Sequence, residues 1–304
     1  MRKPILFMLP LLVAHLLSCS SEDSNIVQTE PVSVKVSFSG FDFSVIPDEN
    51  VAMSRANAEK AEVTCIAFKV FDENNEEIYA EKKTKGVNEN FDQINCELPV
   101  GKYTFVAVAH KAKTPSNGAA DIVSPNKAVI NDIMLYKSTY ATTKSVDITA
   151  GESKEVTMDF GKRITTSFWL YISDSYPEEV DEVEIIIDPD QNVDNSNQYA
   201  FDPSTGFSFA KQPYTINFYK KNTSNNSLKI GPMISCFLTA KEQVVDVKVN
   251  MKDSSGKVLR TRTFNAVTLK QSCITKATGY FFTNSVSNGY TFDTTEDDKL
   301  SYTF

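Results

Sequence analysis

Val32, Val34, Val36 and Phe38 alternate with Ser33, Lys35, Ser37 and Ser39. Period two places the apolar set on one face of a β-strand. After Gly40 the phase shifts to Phe41, Phe43 and Val45, which predicts one strand from Val32 to Val45 with a β-bulge at the glycine. Val63 to Phe71 is apolar at nearly every position, as in a strand covered on both faces. Asp72-Glu73-Asn74-Asn75 supplies turn chemistry, with a return over Glu77 to Ala80. Leu98-Pro99-Val100-Gly101 predicts another turn. It feeds Tyr103, Phe105, Ala107 and Ala109 on one face, with Val106 and Val108 opposite. Val146-Asp147-Ile148 runs to a break at Ala150-Gly151, after which Val156, Met158 and Phe160 alternate.

The second half repeats the style. Ile164, Thr166, Phe168, Leu170 and Ile172 alternate with Thr165, Ser167, Trp169 and Tyr171, a core strand by its pattern. Val183 to Ile187, Met233 to Thr239 and Val245 to Met251 read as further strands. Asp253-Ser254-Ser255-Gly256 is a hairpin turn between Val249 and Val258. No segment sustains a 3.6-residue apolar period, although Ala56 to Glu62 and Ser175 to Val180 allow a helical turn each. Residues 112–127 and 188–227 are rich in Asn, Ser, Pro and Asp and read as long surface loops. Many short strands at modest intervals predict an all-β chain of sandwiches. One sandwich rarely needs so much chain, so two are expected, residues 31–160 and 161–304, with the boundary near Phe160-Gly161-Lys162.

The N-terminus changes this picture. Arg2 and Lys3 precede an apolar run from Pro4 to Leu17, the length of a signal-peptide core and short for a membrane span. The run ends Leu16-Leu17-Ser18-Cys19, which resembles a bacterial lipobox. Residues 1–18 are then a lipoprotein signal peptide, and Cys19 is the lipidated first residue of the mature chain. Several acyl chains on one residue give stable anchoring. Ser20-Ser21-Glu22-Asp23 resembles the surface-export signal of Bacteroidota lipoproteins, and residues 19–30 form a flexible tether.

Charge and cysteine use narrow the chemistry. The chain has 304 residues, with 31 Lys+Arg against 39 Asp+Glu and a formal net charge of −8. That balance repels phosphate backbones, so nucleic acid is not an expected partner. Of 2 His, only His110 lies beyond the signal segment, which excludes paired-His metal sites. Cys65, Cys96, Cys236 and Cys273 remain in the mature chain. They suit either one disulfide in each half, Cys65–Cys96 and Cys236–Cys273, or four buried thiols. Asp188, Asp190, Asn192 and Asp194 alternate as in a calcium loop, but Val193 replaces the turn glycine and Tyr199 stands where a bidentate Glu belongs. Glu178, Glu179, Asp181, Glu182 and Glu184 read as a solvated turn rather than paired acids of a glycosidase, and His110 as a polar strand end. No catalytic, metal or cofactor site is expected.

Taken in order, these segments resemble the fimbrillin superfamily of Bacteroidota, whose members build type V pili. Ser33 to Phe41 resembles the family's first strand, Met53-Ser54-Arg55-Ala56 the loop after it, and Ala67 to Asn74 the next hairpin. Leu98 to His110 is the most family-like stretch. Arg163 to Pro177 resembles the opening of a second domain, and Asn265 to Lys270, Thr275 and Gly279 to Phe282 its late strands. Within the family the chain is most similar to FimB-type anchor and accessory subunits. The resemblance implies two tandem transthyretin-like β-sandwich domains and assembly by strand exchange. In stalk subunits a trypsin-like protease cuts after an Arg behind the first strand, which here points to the Arg55–Ala56 bond. The strand departs with the lipid, and a neighbour's C-terminal strand fills the groove. Anchor subunits keep the strand and the lipid and donate their own C-terminus.

At the C-terminus Gly289 to Phe292 and Leu300 to Phe304 alternate around the acidic Glu296-Asp297-Asp298. They suit a donor strand or an edge strand of the second sandwich. The acidic break departs from a long donor and favours an anchor or tip over a stalk subunit. The reading is therefore a lipid-anchored fimbrial subunit of the cell outer membrane, not an enzyme. Its expected partners are other fimbrial subunits, the outer membrane through the lipid, and a host or bacterial surface ligand. The alternative is a carbohydrate-binding surface lipoprotein, whose aromatic platform would come from Tyr199, Tyr214 or Tyr219.

Overall fold

The computed structural model describes residues 30–40, 63–111, 120–130, 139–161, 163–173, 175–191, 199–219, 233–282 and 291–296. Every regular element among them is a strand. The first half holds β1 (Val32–Ser39), β2 (Cys65–Phe71), β3 (Glu77–Thr84), β4 (Gln93–Leu98), β5 (Gly101–His110), β6 (Asp121–Ser124), β7 (Lys127–Val129), β8 (Thr139–Ile148) and β9 (Lys154–Asp159). The second holds β10 (Thr166–Ile172), β11 (Glu182–Ile187), β12 (Ala200–Phe201), β13 (Tyr214–Tyr219), β14 (Met233–Cys236), β15 (Glu242–Lys252), β16 (Val258–Lys270), β17 (Cys273–Gly279) and β18 (Thr291–Glu296).

The first half pairs a sheet of order β4-β1-β9 with one of order β3-β2-β5-β8. The second half repeats that plan with β14-β10-β17-β18 and β13-β11-β15-β16. In both, the first strand is internal to its sheet. β1 lies antiparallel to β4 and parallel to β9, and β10 lies antiparallel to β14 and parallel to β17. Among the described residues β18 has no counterpart in the first half.

The side-chain periods explain where the cores sit. Ile66, Phe68 and Val70 of β2 and Phe105, Ala107 and Ala109 of β5 face a first core made only of residues between Val32 and Phe160. Ala67, Phe71, Val106 and Val108, out of phase with these, join a second core that otherwise belongs largely to the second half. Coverage on both faces is why β2 reads as a continuous apolar run. Two Asp side chains close the tight turns: Asp72 accepts the amides of Asn74 and Glu76, and Asp253 those of Ser255 and Lys257.

Several expectations change. The segments read as surface loops contain β6, β12 and β13 and the first residue of β7. They also bury Ile122 and Phe201 completely. β12 pairs with β7, Ala200 opposite Val129 and Phe201 opposite Ala128, so a fifth sheet, β12-β7-β6, takes strands from both halves. β6 and β12 are too short to show a period, whereas β13 alternates Tyr214, Ile216 and Phe218 with Thr215 and Asn217, a signal hidden by the loop-like composition around it. Residues 175–180 form a turn closed by the Val180 amide on the Pro177 carbonyl, not a helix. β1 is described as Val32–Ser39; the continuation expected to Val45, over residues 41–45, lies outside the described residues, as do residues 56–62.

Candidate functional site

β1 fills a slot. Its amide and carbonyl groups pair with β4 from Val32↔Leu98 to Ser37↔Gln93 and with β9 from Val34↔Lys154 to Ser39↔Asp159. Val34 and Val36 are 0% exposed, Val32 6% and Phe38 5%, all facing the first core. The Phe38 ring meets Phe68 edge-on at 5.9 Å and Phe160 at 5.9 Å. At roughly 1.5–3 kcal/mol per buried side chain, this plug contributes on the order of 6–12 kcal/mol before ordering costs. The outer face is polar. Among the described residues its one ion pair is Lys35–Glu155 at 4.0 Å, solvated and worth little. Without β1, a gap of about two strand spacings, ~10 Å, would separate β4 from β9. Its floor would be Ile94, Leu98, Phe68, Phe105, Val156 and Met158.

The far end of β1 is fixed by Gly40. Its φ of 90° is open to glycine alone among common residues, and a Cβ there would lie 2.7 Å from the Gly161 amide nitrogen. The Phe160 amide donates to the Ser39 carbonyl at 3.0 Å. Gly40 is the first residue beyond β1.

Cys19, Arg55, Ala56 and Leu300 to Phe304 lie outside the described residues. The C-terminal region, expected as a donor strand or an edge strand, is described over β18. It pairs antiparallel with β17, from Cys273↔Glu296 to Thr278↔Thr291, as the edge strand of the second sandwich.

Neither expected disulfide forms: Cys65, Cys96, Cys236 and Cys273 are buried thiols. Cys65 is out of phase with Ile66, Phe68 and Val70, so it points away from the first core, where Cys96 lies with Ile94 and Leu98. Cys236 pairs with Thr166 on one side of β10, and Cys273 precedes Ile274, the partner of Ser167, on the other. Two strand spacings, ~10 Å, exceed the reach of a disulfide. Burial and the Glu81 carboxylate push the Cys96 thiol up to about 11. Burial, with Asp188 nearby, pushes Cys236 up as well.

The remaining candidates are structural. The Asp188 carboxylate is buried and accepts Gln243 Nε2 at 3.1 Å and the Asp246 amide at 3.3 Å. Burial raises its pKa against those hydrogen bonds. Asn192 and Asp194 lie outside the described residues, and no cluster of three metal-binding side chains occurs among those described. Glu182 and Glu184 both accept Lys252 Nζ, at 3.1 and 2.8 Å. Burial pushes Glu184 up, but Lys252 and Asn250 outweigh it and hold the carboxyl below its ordinary range. His110 is buried at the end of β5. Trp169 is half-buried on the outer face of β10 rather than in a core, edge-on to Tyr171 at 6.3 Å. Lys276 Nζ lies 4.7 Å from each ring. Of the three tyrosines considered for a platform, Tyr214 is buried and only Tyr219 is well exposed, at 46%. Sequence reasoning missed β4, the strand that pairs with β1; the alternation of Ile94, Cys96 and Leu98 is the signal that could have found it.

The family model of fimbrillin-A associated anchor proteins Mfa1 and Mfa2 matches residues 22–237. Among solved structures, the chain is similar to the fimbrial anchor protein Mfa2 of Porphyromonas gingivalis (10% identity, 88% of this chain and 98% of that one, TM-score 0.44). It is also similar to the tip fimbrial protein Mfa3 of the same organism with a C-terminal truncation (10% identity, 88% and 99%, TM-score 0.43). A third is described as putative polysaccharide binding proteins from Bacteroides thetaiotaomicron (13% identity, 83% and 91%, TM-score 0.45). No curated protein matches the chain in sequence.

Proposed function

The chain belongs to the family of fimbrillin-A associated anchor proteins Mfa1 and Mfa2, and from that premise we propose that it is a lipid-anchored fimbrial subunit working by β-strand exchange. The observation that carries this reading is β1: an internal strand, apolar on one face, held by its backbone ladders and its plug. Such a strand can be replaced by any chain that repeats its alternation, because the backbone supplies the pairing and the pockets the register. Cys19 carries the lipid at the outer membrane, and β1 starts 13 residues after it. A pull on the anchor then runs along β1 and loads its two ladders in shear. The chain divides into sandwiches of residues 31–160 and 161–304, and its partners are other fimbrial subunits. Its C-terminal residues are the donor, parked at β18 until a neighbour takes them, and the Arg55–Ala56 bond is the point at which β1 could be released.

The test is the intact mass of the mature protein taken from the cell surface. An acylated Cys19 start means that β1 stays and the subunit is an anchor or fixed adhesin. An Ala56 start means that β1 and the lipid are gone and the subunit receives a neighbour's strand. A start at neither residue overturns the reading.

A second reading, a carbohydrate-binding lipoprotein, draws on Trp169, Tyr171 and Lys276 together on the outer face of β10 and β17. Binding on a glycan array that Trp169→Ala abolishes, with no assembly into fimbriae, would favour it.

A further inference from the structure

Arg260 and Arg262 stand on β16, the edge strand of its sheet, in phase with the buried Phe264 and so turned inward. They cross to the opposite sheet, where the chain leaves β17. Arg260 Nη1 donates to the Phe282 carbonyl at 2.6 Å. Arg262 donates to the Phe281 carbonyl through Nε at 3.3 Å and Nη2 at 3.1 Å. Both guanidinium carbons also lie over the Phe281 ring, at 6.0 and 5.3 Å. Phe281 is 0% exposed, and Phe282 packs on it at 5.3 Å and on Tyr176 at 5.4 Å. Two successive carbonyls are thus held by two rigid forks whose charge cannot be titrated away.

We infer that Arg260 and Arg262 are a clamp that fixes the root of the C-terminal arm, so that the arm can be exchanged without opening the second core. This rests on the proposed donor role of the C-terminus. Among the described residues β18 has one ladder, on β17. If it leaves, fraying spreads backward along the chain toward Phe281, a plug of the second core. The clamp sits between the two. It divides a strand that must move from a strand, β17, that must stay beside β10.

Amide hydrogen exchange on the monomeric mature chain tests this. In the unsubstituted protein, peptides over 273–282 are expected to exchange at least about tenfold more slowly than those over 291–296. In R260A/R262A, exchange over 273–282 should rise about tenfold, while peptides from β11, β15, β1 and β4 stay unchanged. R260K/R262K keeps the charge but loses the forks. It should show the same local rise at smaller size, and it decides the matter if the alanine variant does not fold. No change over 273–282, or an equal rise across the whole second sandwich, overturns the inference. So does self-association with unchanged exchange, which would assign the arginines to protecting the β16 edge. The donor role fails separately, if a peptide of residues 289–304 does not bind a chain beginning at Ala56.

Discussion

β1 and β10 hold the same place in their sandwiches, each between an antiparallel and a parallel neighbour, yet only β10 is stitched by side chains. Thr166 Oγ1 and Arg163 Nη2 both donate to the Cys273 carbonyl at 3.1 Å. The Ser272 hydroxyl donates to the Arg163 carbonyl, and the buried hydroxyls of Ser167 and Ser235 share a hydrogen bond at 2.7 Å. β1 has the solvated Lys35–Glu155 contact alone among the described residues. Withdrawing β10 would strand buried polar groups that only its own sequence satisfies. Withdrawing β1 would expose two backbone edges and an apolar floor, which a foreign alternating strand can cover equally well. If β1 is exchanged as proposed, what marks it is less what it binds than which side-chain bonds it lacks.

The largest test of that contrast is excision. A chain beginning at Ala56 loses the whole β1 plug, a gross loss on the order of 6–12 kcal/mol against a total of about 5–15 kcal/mol for an ordinary domain. Its first sandwich should be protease-sensitive, and a peptide of residues 31–40 should restore resistance. A chain lacking residues 165–173 should not be restored by the matching peptide. Rescue of both would erase the distinction.

Single substitutions within β1 come next. Phe38→Ala empties the site between Phe68 and Phe160 and should cost about 3–5 kcal/mol in urea unfolding. Ser37→Ala on the outer face should stay within about 0.5 kcal/mol. For β10 the outer face is not neutral. Ser167→Ala should cost about 1–3 kcal/mol by leaving the Ser235 hydroxyl buried without its partner, and S167A/S235A should recover most of it. An additive double variant would remove the stitch from the argument.

Much of this contrast was legible before any coordinates. Val32 to Phe38 declares an apolar face and a polar one, and the run at β2 declares burial on both faces. Gly40 has the left-handed φ that a bulge glycine can adopt, and the continuation expected over residues 41–45 lies outside the described residues. The status of β1 as an internal strand was not legible, because its partners Cys96 and Val156 lie about 60 and 120 residues away and local period says nothing about them. Pairing cysteines by nearness in sequence failed for a related reason: Cys65 and Cys96 occupy opposite faces, which register decides and spacing does not. The joint between the halves was hidden most completely. β12 contributes Phe201 from a stretch whose composition is that of a loop, and its partner β7 begins at the last residue of another.

The mildest test leaves stability untouched and uses the two cysteines that flank the strands compared. Cys96 on β4 pairs with Val34 of β1, and Cys236 on β14 pairs with Thr166 of β10. With its thiol pushed up to about 11, Cys96 is only ~0.1% thiolate at pH 8, and burial hides what there is. Once β1 leaves, an ordinary thiol near 8.5 would be about a quarter ionised, a rise of roughly 200-fold before any gain in access. Alkylation at pH 8 in the presence of an excess of a competing strand peptide should therefore mark Cys96 and spare Cys236. Raising the pH toward the folded value of Cys96 should narrow the gap, because the native thiol then ionises without release. Equal labelling of both cysteines would mean that the second sandwich opens as readily as the first, and the absent stitches of β1 would carry no meaning for exchange.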